Sequence, residues 1–378
     1  MTSLTETDLV RYSRQMRLPE VGEAGQGRLK AGSVLLVGAG GLGSPAALYL
    51  AGAGVGRIGI IDGDTVDVSN LHRQVLHGTG SAGQPKTASA GERLRDLNPE
   101  IEVVLIEEAL TSSNGLRVIA DFDLVLDGSD NFPTRYLTND ACVLLGKPNV
   151  YGSVFRFEGQ ASFFHASAGP CYRCIYSDPP PPALVPSCEE GGVLGTVPGI
   201  IGLIQATEAI KWLAGLGSSL LGRLLLFDGR SMQFRELKIP KNPRCKVCGE
   251  NPEIKALIDY DAYCGTPKST ANPGEITAGE LRAARAAGRP VRLIDVRETH
   301  EWAAARIDGA QHIPLRELPM RLSALSPDEE IVLYCQMGGR SARGRDVLRE
   351  AGFRHVKSLA GGIQQWLREL SDSTPRAE

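Results

Sequence analysis

The stretch GAGGLGS, residues 38–44, follows the apolar run VLLV at residues 34–37 and precedes a segment of small residues that ends at Ala53. Such an apolar run predicts a buried parallel strand, and the small residues predict a helix that packs on a sheet. The glycines at positions 38, 40 and 43 fit the pattern G-x-G-x-x-G. The first glycine allows a tight turn, the second lets the backbone approach a phosphate, and the third lets helix and strand pack closely.

A second apolar strand, RIGIIDGD at residues 57–64, places Asp62 about 20 residues after Gly43. Dinucleotide-binding units carry an acid at this distance to bind the ribose. The free N–H groups at the N-terminus of the intervening helix attract an anion such as a phosphate. The beginning of the chain therefore predicts a nucleotide site.

Composition limits the classes of protein to which the chain can belong. Its 378 residues predict two domains, and its net charge of −3 gives no support for nucleic-acid binding. We find neither an apolar run of about 18 residues nor a signal peptide, so we expect no membrane partner and a cytoplasmic location. Because disulfides are rare in the cytoplasm, the eight cysteines predict metal or sulfur chemistry.

The order of the predicted elements divides the chain into three parts. Strands, glycine-rich turns and helices alternate to about residue 150, which predicts a Rossmann-like sheet, and VYGSVFRFEGQASFF at residues 150–164 adds antiparallel strands to make it mixed. Residues 251–275 lack a helical period and contain Pro267 and Pro273, as a linker would. We therefore predict an α/β fold with domains at residues 1–250 and 276–378.

Three further polar sites follow the glycine-rich loop along the chain. NLHRQ at residues 70–74 contributes Arg73, and Lys86 begins a predicted helix. Because a lysine in the first turn opposes the helix dipole, Lys86 is either a solvated surface residue or one that faces an anion, and Arg73 nearby favours the anion. Asp130 follows the apolar strand LVLD at residues 124–127, where it could hold Mg²⁺ or cap a helix.

These residues resemble the MoeB/ThiF adenylyltransferases, which are relatives of the ubiquitin-activating enzymes. The similarity covers roughly residues 1–250 and rests on GAGGLGS, the Asp62–Asp64 pair, NLHRQ, Lys86 and SDN at 129–131. In that family the C-terminal glycine of a small ubiquitin-like protein attacks the α-phosphate of ATP, which gives an acyl adenylate and pyrophosphate. The resemblance implies a ubiquitin-activating-type adenylation domain that uses ATP and Mg²⁺ and forms a homodimer.

The resemblance also implies a role for each matching position. The residues implied at the ATP site are Gly38, Gly40 and Gly41 at the phosphates, Asp62 at the ribose, Asn70, Arg73 and Lys86 at the triphosphate, Asp130 at Mg²⁺, and Arg14, which would reach the triphosphate from the other subunit of a homodimer. Since a carboxylate and a triphosphate repel each other, such catalysis is charge neutralisation and alignment. No Walker motif offers another way to hold the phosphates.

Two C-x-x-C pairs lie in polar, turn-rich segments, namely Cys171 with Cys174 and Cys245 with Cys248. Their spacing predicts a tetrahedral structural zinc site, with redox pairs as the weaker alternative. In the resembling family these pairs bind zinc away from the chemistry.

The other cysteines of the first part carry different expectations. Cys188 lies in SCEEGG at residues 187–192, a predicted exposed crossover. The resembling family has a cysteine hereabouts that can form thioester or disulfide intermediates, whereas the flanking Glu189 and Glu190 disfavour a thiolate. A catalytic role for Cys188 therefore stays open. Cys142 is predicted to lie in the core, and Cys264 has no assignment.

Cys335 ends the apolar strand IVLYC and precedes QMGGRS and a predicted helix. Loop N–H groups and a helix N-terminus stabilise a thiolate, and Arg340 adds positive charge. This arrangement resembles the rhodanese domain, over about residues 276–370, whose cysteine carries sulfur as a persulfide. The other matching motifs are DVRE at 295–298, HIP at 312–314 and GGIQQW at 361–366.

Two departures from the rhodanese pattern leave the sulfur donor open. The segment that usually reads H-I-P-G-A begins with Arg306, and Gln336 replaces the arginine that usually follows the cysteine. A phosphatase loop, C-x-x-x-x-x-R, is a weaker alternative because Arg340 comes one residue too soon. The shorter loop favours a single sulfur atom over a phosphoryl group.

Together the two resemblances imply a fusion of a MoeB-type enzyme with a rhodanese sulfurtransferase. The first domain would adenylate a ubiquitin-like sulfur-carrier protein with a Gly-Gly C-terminus, and the persulfide on Cys335 would convert the adenylate to a thiocarboxylate. Thiosulfate or a cysteine desulfurase would supply the sulfur. Alternatively, the rhodanese domain only docks partners, or the chain is an NAD-dependent dehydrogenase, which leaves Arg73, Lys86 and the cysteines unexplained. Molybdopterin, thiamin, cysteine and thiolated-tRNA pathways all use such carriers.

Overall fold

The computed structural model describes residues 4–180, 192–264, 274–336 and 338–372. The chain divides into two compact units, Met1–Thr266 and Pro267–Glu378. Cys188 and residues 265–273 of the predicted linker lie outside the described residues. Both units have the predicted α/β architecture.

The first unit is built on an eight-stranded mixed sheet. Its strands are β1 (Ser33–Val37), β2 (Arg57–Ile61), β3 (Glu102–Ile106), β4 (Leu124–Asp127), β5 (Asn149–Phe155), β6 (Glu158–Phe164), β7 (Arg223–Asp228) and β8 (Gln233–Lys238). They lie in the order β3-β2-β1-β4-β5-β6-β7-β8. Strands β1 to β5 pair in parallel and β5 to β8 pair antiparallel, so the change of hydrophobic pattern near residue 150 correctly predicted the two halves.

Helices cover both faces of the parallel half. The helices of the first unit are α1 (Glu6–Arg11), α2 (Ser13–Met16), α3 (Gly22–Ala31), α4 (Gly43–Ala53), α5 (Lys86–Leu97), α6 (Gly115–Ala120), α7 (Phe132–Leu145), α8 (Thr196–Ala214) and α9 (Tyr260–Tyr263). Because successive side chains of a strand point to opposite faces, Leu36 packs with α4, α5 and α8, whereas Leu35 packs with α6 and α7. Cys142 lies in the second of these cores, as predicted.

Residues 251–264 pack on the first unit, although the sequence analysis assigned them to the linker. The hydroxyl of Tyr260 donates to Oδ2 of Asp140 at 2.8 Å, and the hydroxyl of Tyr263 accepts from Arg173 at 2.7 Å. Asp140 and Arg173 form an ion pair whose side chains are both fully buried. These two tyrosines are far in sequence from the ion pair that they hydrogen-bond, and such contacts leave no periodic pattern in the sequence. The segment was therefore predicted to be a linker.

The second unit contains a smaller, all-parallel sheet. Its elements are β9 (Glu275–Ile276), α10 (Ala278–Ala286), β10 (Val291–Asp295), α11 (Thr299–Ala304), β11 (Gln311–His312), β12 (Glu330–Tyr334), α12 (Gly339–Glu350), β13 (Val356–Leu359) and α13 (Gly362–Asp372). The strand order is β11-β10-β12-β13-β9, so Cys335 follows the central strand. Among the residues described in both units, no helix combines the length and apolarity that crossing a membrane requires.

Candidate functional site

The loop between β1 and α4 requires its glycines for steric reasons. Gly38 adopts a positive φ of 95°, and a Cβ at Gly43 would lie 2.0 Å from the carbonyl oxygen of Gly38. A side chain at either position would therefore strain or displace the loop. At Gly41 a Cβ would lie 3.6 Å from Cδ of Arg73, so this arginine extends over the loop. The loop exposes backbone amides at the start of α4, as a phosphate site does.

Asp62 follows β2 and contacts the same loop. Its Oδ2 accepts from the N–H of Ala39 and its Oδ1 from the N–H of Asp64, both at 2.8 Å. Burial raises the pKa of the Asp62 carboxyl, although the nearby charge of Lys86 and the two backbone hydrogen bonds oppose the rise. The acid predicted at the ribose is thus fixed beside the loop by backbone donors.

Lys86 at the start of α5 is buried, which excludes the alternative of a solvated surface lysine. Its Nζ lies 2.9 Å from Oδ2 of Asp64. The lysine side chain is 7% exposed and the aspartate side chain 61% exposed. Since Asp64 can return to water, a phosphate could replace it as the partner of Lys86 at small cost.

Within the part of the chain that the structure describes, the side-chain hydrogen bonds of Arg73 go to neutral groups. One guanidinium nitrogen donates to Oδ1 of Asn70 at 2.5 Å, and another lies 2.8 Å from Nε2 of His72. Desolvation and the charge of Arg73 both lower the pKa of His72, so its ring accepts this bond in the neutral form. Because neither of these partners carries a negative charge, the charge of the guanidinium is available to an anionic ligand.

Asp130 lies in the loop between β4 and α7, with an exposed side chain. The alternative role of helix cap belongs to its neighbour, because Oδ1 of Asn131 accepts from the N–H of Thr134 at 2.9 Å. A Cβ at Gly128 would lie 3.2 Å from the carbonyl oxygen of Gly38, so the two loops are in contact. An exposed carboxylate beside a phosphate loop suits the ligand preference of Mg²⁺.

Arg14 is exposed and does not join this cluster within its own chain. Its neighbour Gln15 donates to the carbonyl of Ala53, at the C-terminal end of α4. The glycine-rich loop lies at the other end of α4, about 16 Å away along a helix of 11 residues.

Three polar residues buried near these loops were not predicted from the sequence, namely His77, Asp127 and Arg135. The two nitrogens of His77 lie 3.0 Å from Oγ of Ser89 and 2.9 Å from the carbonyl oxygen of Ala39. Burial lowers the pKa of His77, so its ring supports the loop in the neutral form. From the sequence these three positions are expected only to be part of the core. Their contacts become visible only in the folded structure.

The two C-x-x-C pairs meet as predicted. Sγ of Cys171 lies 3.6 Å from Sγ of Cys245, and Sγ of Cys174 lies 3.5 Å from Sγ of Cys248. All four sulfurs lie within 4.8 Å of one another. A zinc ion with Zn–S bonds of about 2.3 Å gives sulfur–sulfur edges of about 3.8 Å, whereas a disulfide would be much shorter. The cluster therefore fits a tetrahedral zinc ion.

Cys335 lies between β12 and α12 with its thiol facing the loop. The N–H of Gly338 donates to its Sγ at 3.1 Å, and Oγ of Ser341 lies 3.6 Å away. The GGIQQW motif supports the loop from below, because a Cβ at Gly362 would lie 2.4 Å from the carbonyl oxygen of Cys335 and Ile363 donates its N–H to that carbonyl. The sulfur therefore has two polar neighbours from the protein, the backbone N–H of Gly338 and the hydroxyl of Ser341.

Both arginines at this loop are paired with carboxylates. Arg340 makes two hydrogen bonds of 2.6 Å to Glu301, and Arg297 makes bonds of 2.7 to 3.1 Å to Asp295. Burial alone would raise the pKa of Glu301, but the hydrogen bonds of Arg340 hold it below its ordinary value. Arg297 also donates to Oε1 of Gln336 at 3.2 Å, so the residue that replaces the usual arginine is held in place. The positive charge predicted from Arg340 is thus compensated.

The sequence matches the ThiF family over residues 12–247 and the rhodanese-like domain over residues 277–369. The probable adenylyltransferase/sulfurtransferase MoeZ of Mycobacterium tuberculosis H37Rv is 46% identical over 379 residues, which cover 98% of this chain and 95% of that protein. The adenylyltransferase and sulfurtransferase MOCS3 of Mus musculus is 41% identical, covering 99% of this chain and 88% of that protein.

One relative corresponds to the first unit alone. The sulfur carrier protein adenylyltransferase of Thermus thermophilus is 53% identical over 266 residues, which cover 69% of this chain and 98% of that protein. Among solved structures, E. coli MccB is similar with a TM-score of 0.58 and 22% identity, covering 64% of this chain and 73% of that one. At this identity the likeness concerns the fold alone.

Proposed function

This chain belongs to the ThiF family, and because it also carries a rhodanese-like domain, we propose that it activates and then thiolates a ubiquitin-like sulfur-carrier protein. It is an adenylyltransferase and a sulfurtransferase, like the relatives that it matches over nearly its whole length. The observation that supports this function is that the same chain contains two such loops. Arg73 lies close to the glycine-rich loop at Gly41, and in the other loop the N–H of Gly338 donates to Sγ of Cys335. The carrier class comes from the name of the Thermus relative.

In the first step, the C-terminal carboxylate of the carrier attacks the α-phosphate of ATP and pyrophosphate leaves. We assign the phosphates to Gly38, Gly40 and Gly41, the ribose to Asp62, and the triphosphate to Asn70, Arg73 and Lys86. These cations reduce the repulsion between carboxylate and triphosphate and align the reacting groups. Asp130 would hold Mg²⁺, which supplies further charge neutralisation when it is bound.

In the second step, a persulfide on Cys335 attacks the acyl adenylate. Its terminal sulfur forms a bond to the carbonyl carbon, and AMP leaves. A second thiol then attacks the sulfur of Cys335 in the acyl disulfide, which releases the thiocarboxylate and forms a disulfide between the two cysteines. A dithiol reductant returns this disulfide to two thiols. Cys188 is the proposed second thiol in this chain. Arg340, through its pair with Glu301, keeps the start of α12 in place at this loop.

The partners follow from the same chemistry. The proposed sulfur donor is thiosulfate or the persulfide of a cysteine desulfurase. We propose a homodimer, because Arg14 lies at the far end of α4 from the loop and would serve the site of a second subunit. The four-cysteine zinc site requires reduced thiols, which supports the cytoplasm as the proposed location.

The test is incubation of the full chain with a Gly-Gly-ended carrier, ATP, Mg²⁺, thiosulfate and a dithiol reductant, followed by mass spectrometry of the carrier. The expected product has one oxygen replaced by sulfur, with AMP formed in step. A carrier that lacks the two glycines is the matched control. Adenylation without gain of sulfur would favour a second unit that only docks partners. Absence of carrier-dependent ATP–pyrophosphate exchange would overturn the proposed function.

A further inference from the structure

Ser129, in the loop between β4 and α7, is held by two buried charged residues. Its N–H and hydroxyl donate to Oδ1 of Asp127 at 3.0 and 2.5 Å, and its carbonyl accepts from Arg135 at 3.0 Å. The next residue is Asp130, whose side chain is exposed, and Asn131 then caps α7. Asp130 therefore lies between two residues whose positions are fixed by hydrogen bonds.

Asp127 and Arg135 each hydrogen-bond Ser129, and Arg135 also hydrogen-bonds Tyr172. Asp127 is fully buried and Arg135 is 6% exposed. Within the described ranges, neither Oδ2 of Asp127 nor Nε of Arg135 has a hydrogen-bond partner. Burial raises the pKa of Asp127, whereas the charge of Arg135 opposes the rise. Two buried ionisable groups with unused polar atoms are costly in a core, and here both of them hold the same loop residue, Ser129.

The loop that they hold packs directly on the glycine-rich loop. A Cβ at Gly128 would lie 3.0 Å from the carbonyl oxygen of Val37 and 3.2 Å from that of Gly38. The guanidinium of Arg135 also lies 5.7 Å from the ring centre of Phe132 and 5.4 Å from that of Tyr151, which fixes its plane. The position of Ser129 therefore sets where Asp130 stands relative to the phosphate loop.

We propose that Arg135, with Asp127 as its counter-charge, is a positioning residue of the adenylation reaction that fixes Asp130 beside the Gly38–Gly43 loop. This inference rests on the proposed function and on the role of Asp130 in it. Arg135→Lys keeps the positive charge but loses the planar group that reaches Ser129 between two rings. The loss should therefore displace Asp130 without removing it.

The test compares Arg135→Lys with Arg173→Lys in the full chain. Arg173 is likewise a buried arginine, but it forms an ion pair with Asp140 and a hydrogen bond with Tyr263 instead of contacting the Ser129 loop. We expect both variants to lower the melting temperature. Only Arg135→Lys should lower kcat of carrier-dependent ATP–pyrophosphate exchange, by about 10- to 100-fold, and raise the Mg²⁺ concentration for half-maximal exchange.

Calorimetric titration with ATP, with and without Mg²⁺, is the second readout. Arg135→Lys should lose part of the gain in ATP affinity that Mg²⁺ gives the wild type, and Arg173→Lys should keep it. Unchanged kcat and unchanged Mg²⁺ dependence in Arg135→Lys would overturn the proposal. If that variant does not fold, Asp127→Asn decides, since it removes the counter-charge of Arg135 with little change of side-chain volume. It should shift the Mg²⁺ dependence in the same direction, and no shift would again overturn the proposal.

Asp130→Ala separates this inference from the proposed function. If Asp130→Ala retains exchange, the role of Asp130 fails and the positioning role of Arg135 fails with it. If Asp130→Ala loses exchange while Arg135→Lys retains it, the positioning role fails and the proposed function stands.

Discussion

The loop after β1 and the loop after β12 each connect a parallel strand to a helix, but the basic side chains beside them have different partners. Each follows a buried parallel strand and leads into a helix. Beside the first loop, Lys86 is paired with the exposed Asp64, and Arg73 contacts neutral groups. Beside the second loop, Arg297 and Arg340 are each paired with a carboxylate through two or more hydrogen bonds.

Under the proposed function, the contrast between the loops matches what each ligand needs. A triphosphate needs positive charge that can change partner, and Lys86 and Arg73 can do so because their present partners return to water or remain neutral. A single sulfur atom needs a few fixed donors, and at Cys335 an amide and a hydroxyl supply them. The arginines of the second loop are thus compensated by carboxylates, whereas under the proposed function the cations of the first loop are available to substrate.

The largest loss of activity should come from substituting the reactive side chain of one loop at a time. Cys335→Ala should lower formation of the carrier thiocarboxylate by about 10³-fold or more, because no other group of the loop carries the sulfur. Carrier-dependent ATP–pyrophosphate exchange should be unchanged in this variant. Arg73→Ala, the matched variant at the first loop, should lose both activities. Sulfur transfer that survives Cys335→Ala would refute the division of chemistry between the two loops.

Substituting one cation at each loop should separate available charge from structural charge. Lys86→Met should lower exchange by about 10²- to 10³-fold, while the free energy of unfolding changes by less than about 1 kcal/mol because Asp64 is already exposed. Arg297→Met should destabilise the second unit by about 3–5 kcal/mol, because Asp295 is left buried without its counter-charge. Denaturant unfolding of both variants measures the difference. Equal losses of stability would contradict it.

A shortened chain should show whether the first loop acts without the second. Residues 1–264 alone should retain carrier-dependent exchange, since the tyrosines of α9 still complete the Arg173–Asp140 pair. Residues 1–250 should be less stable by about 2–3 kcal/mol, because hydrogen bonds to buried charged groups are lost. Thermal unfolding and exchange of the two proteins provide the measurement. Equal stability of the two would show that α9 contributes nothing to the first unit.

The smallest effect concerns the pH dependence of the second unit. Because Arg340 holds the pKa of Glu301 below its ordinary value, the ionised carboxylate stabilises the folded state above the ordinary carboxyl range. This contribution, about 1 kcal/mol or less, should be lost as the pH falls through the lowered pKa. Glu301→Gln should remove that part of the pH dependence and match the wild type in acid. The measurement is the free energy of unfolding of both proteins at several pH values. Parallel curves of this free energy against pH would contradict the prediction.

The two sites were predictable to different degrees. The strand, the glycines and the acid at Asp62 are local patterns, so the sequence predicted the first loop residue by residue. The two C-x-x-C pairs were predicted to meet because cysteines of that spacing have few other uses. The pairing of Arg340 with Glu301 was not predicted, since the charge of an arginine in a motif says nothing of a carboxylate on another helix.

Local patterns in the sequence were enough to predict the α/β class, the glycine-rich loop, the two C-x-x-C pairs and the loop of Cys335, because each depends on residues close together in the chain. The folded chain was needed to show that α9 completes the first unit, that Lys86 is buried, and that Asp127 and Arg135 hold Ser129. These features depend on burial and on contacts between distant segments. Both arise when the strands assemble, and no local pattern of residues encodes them.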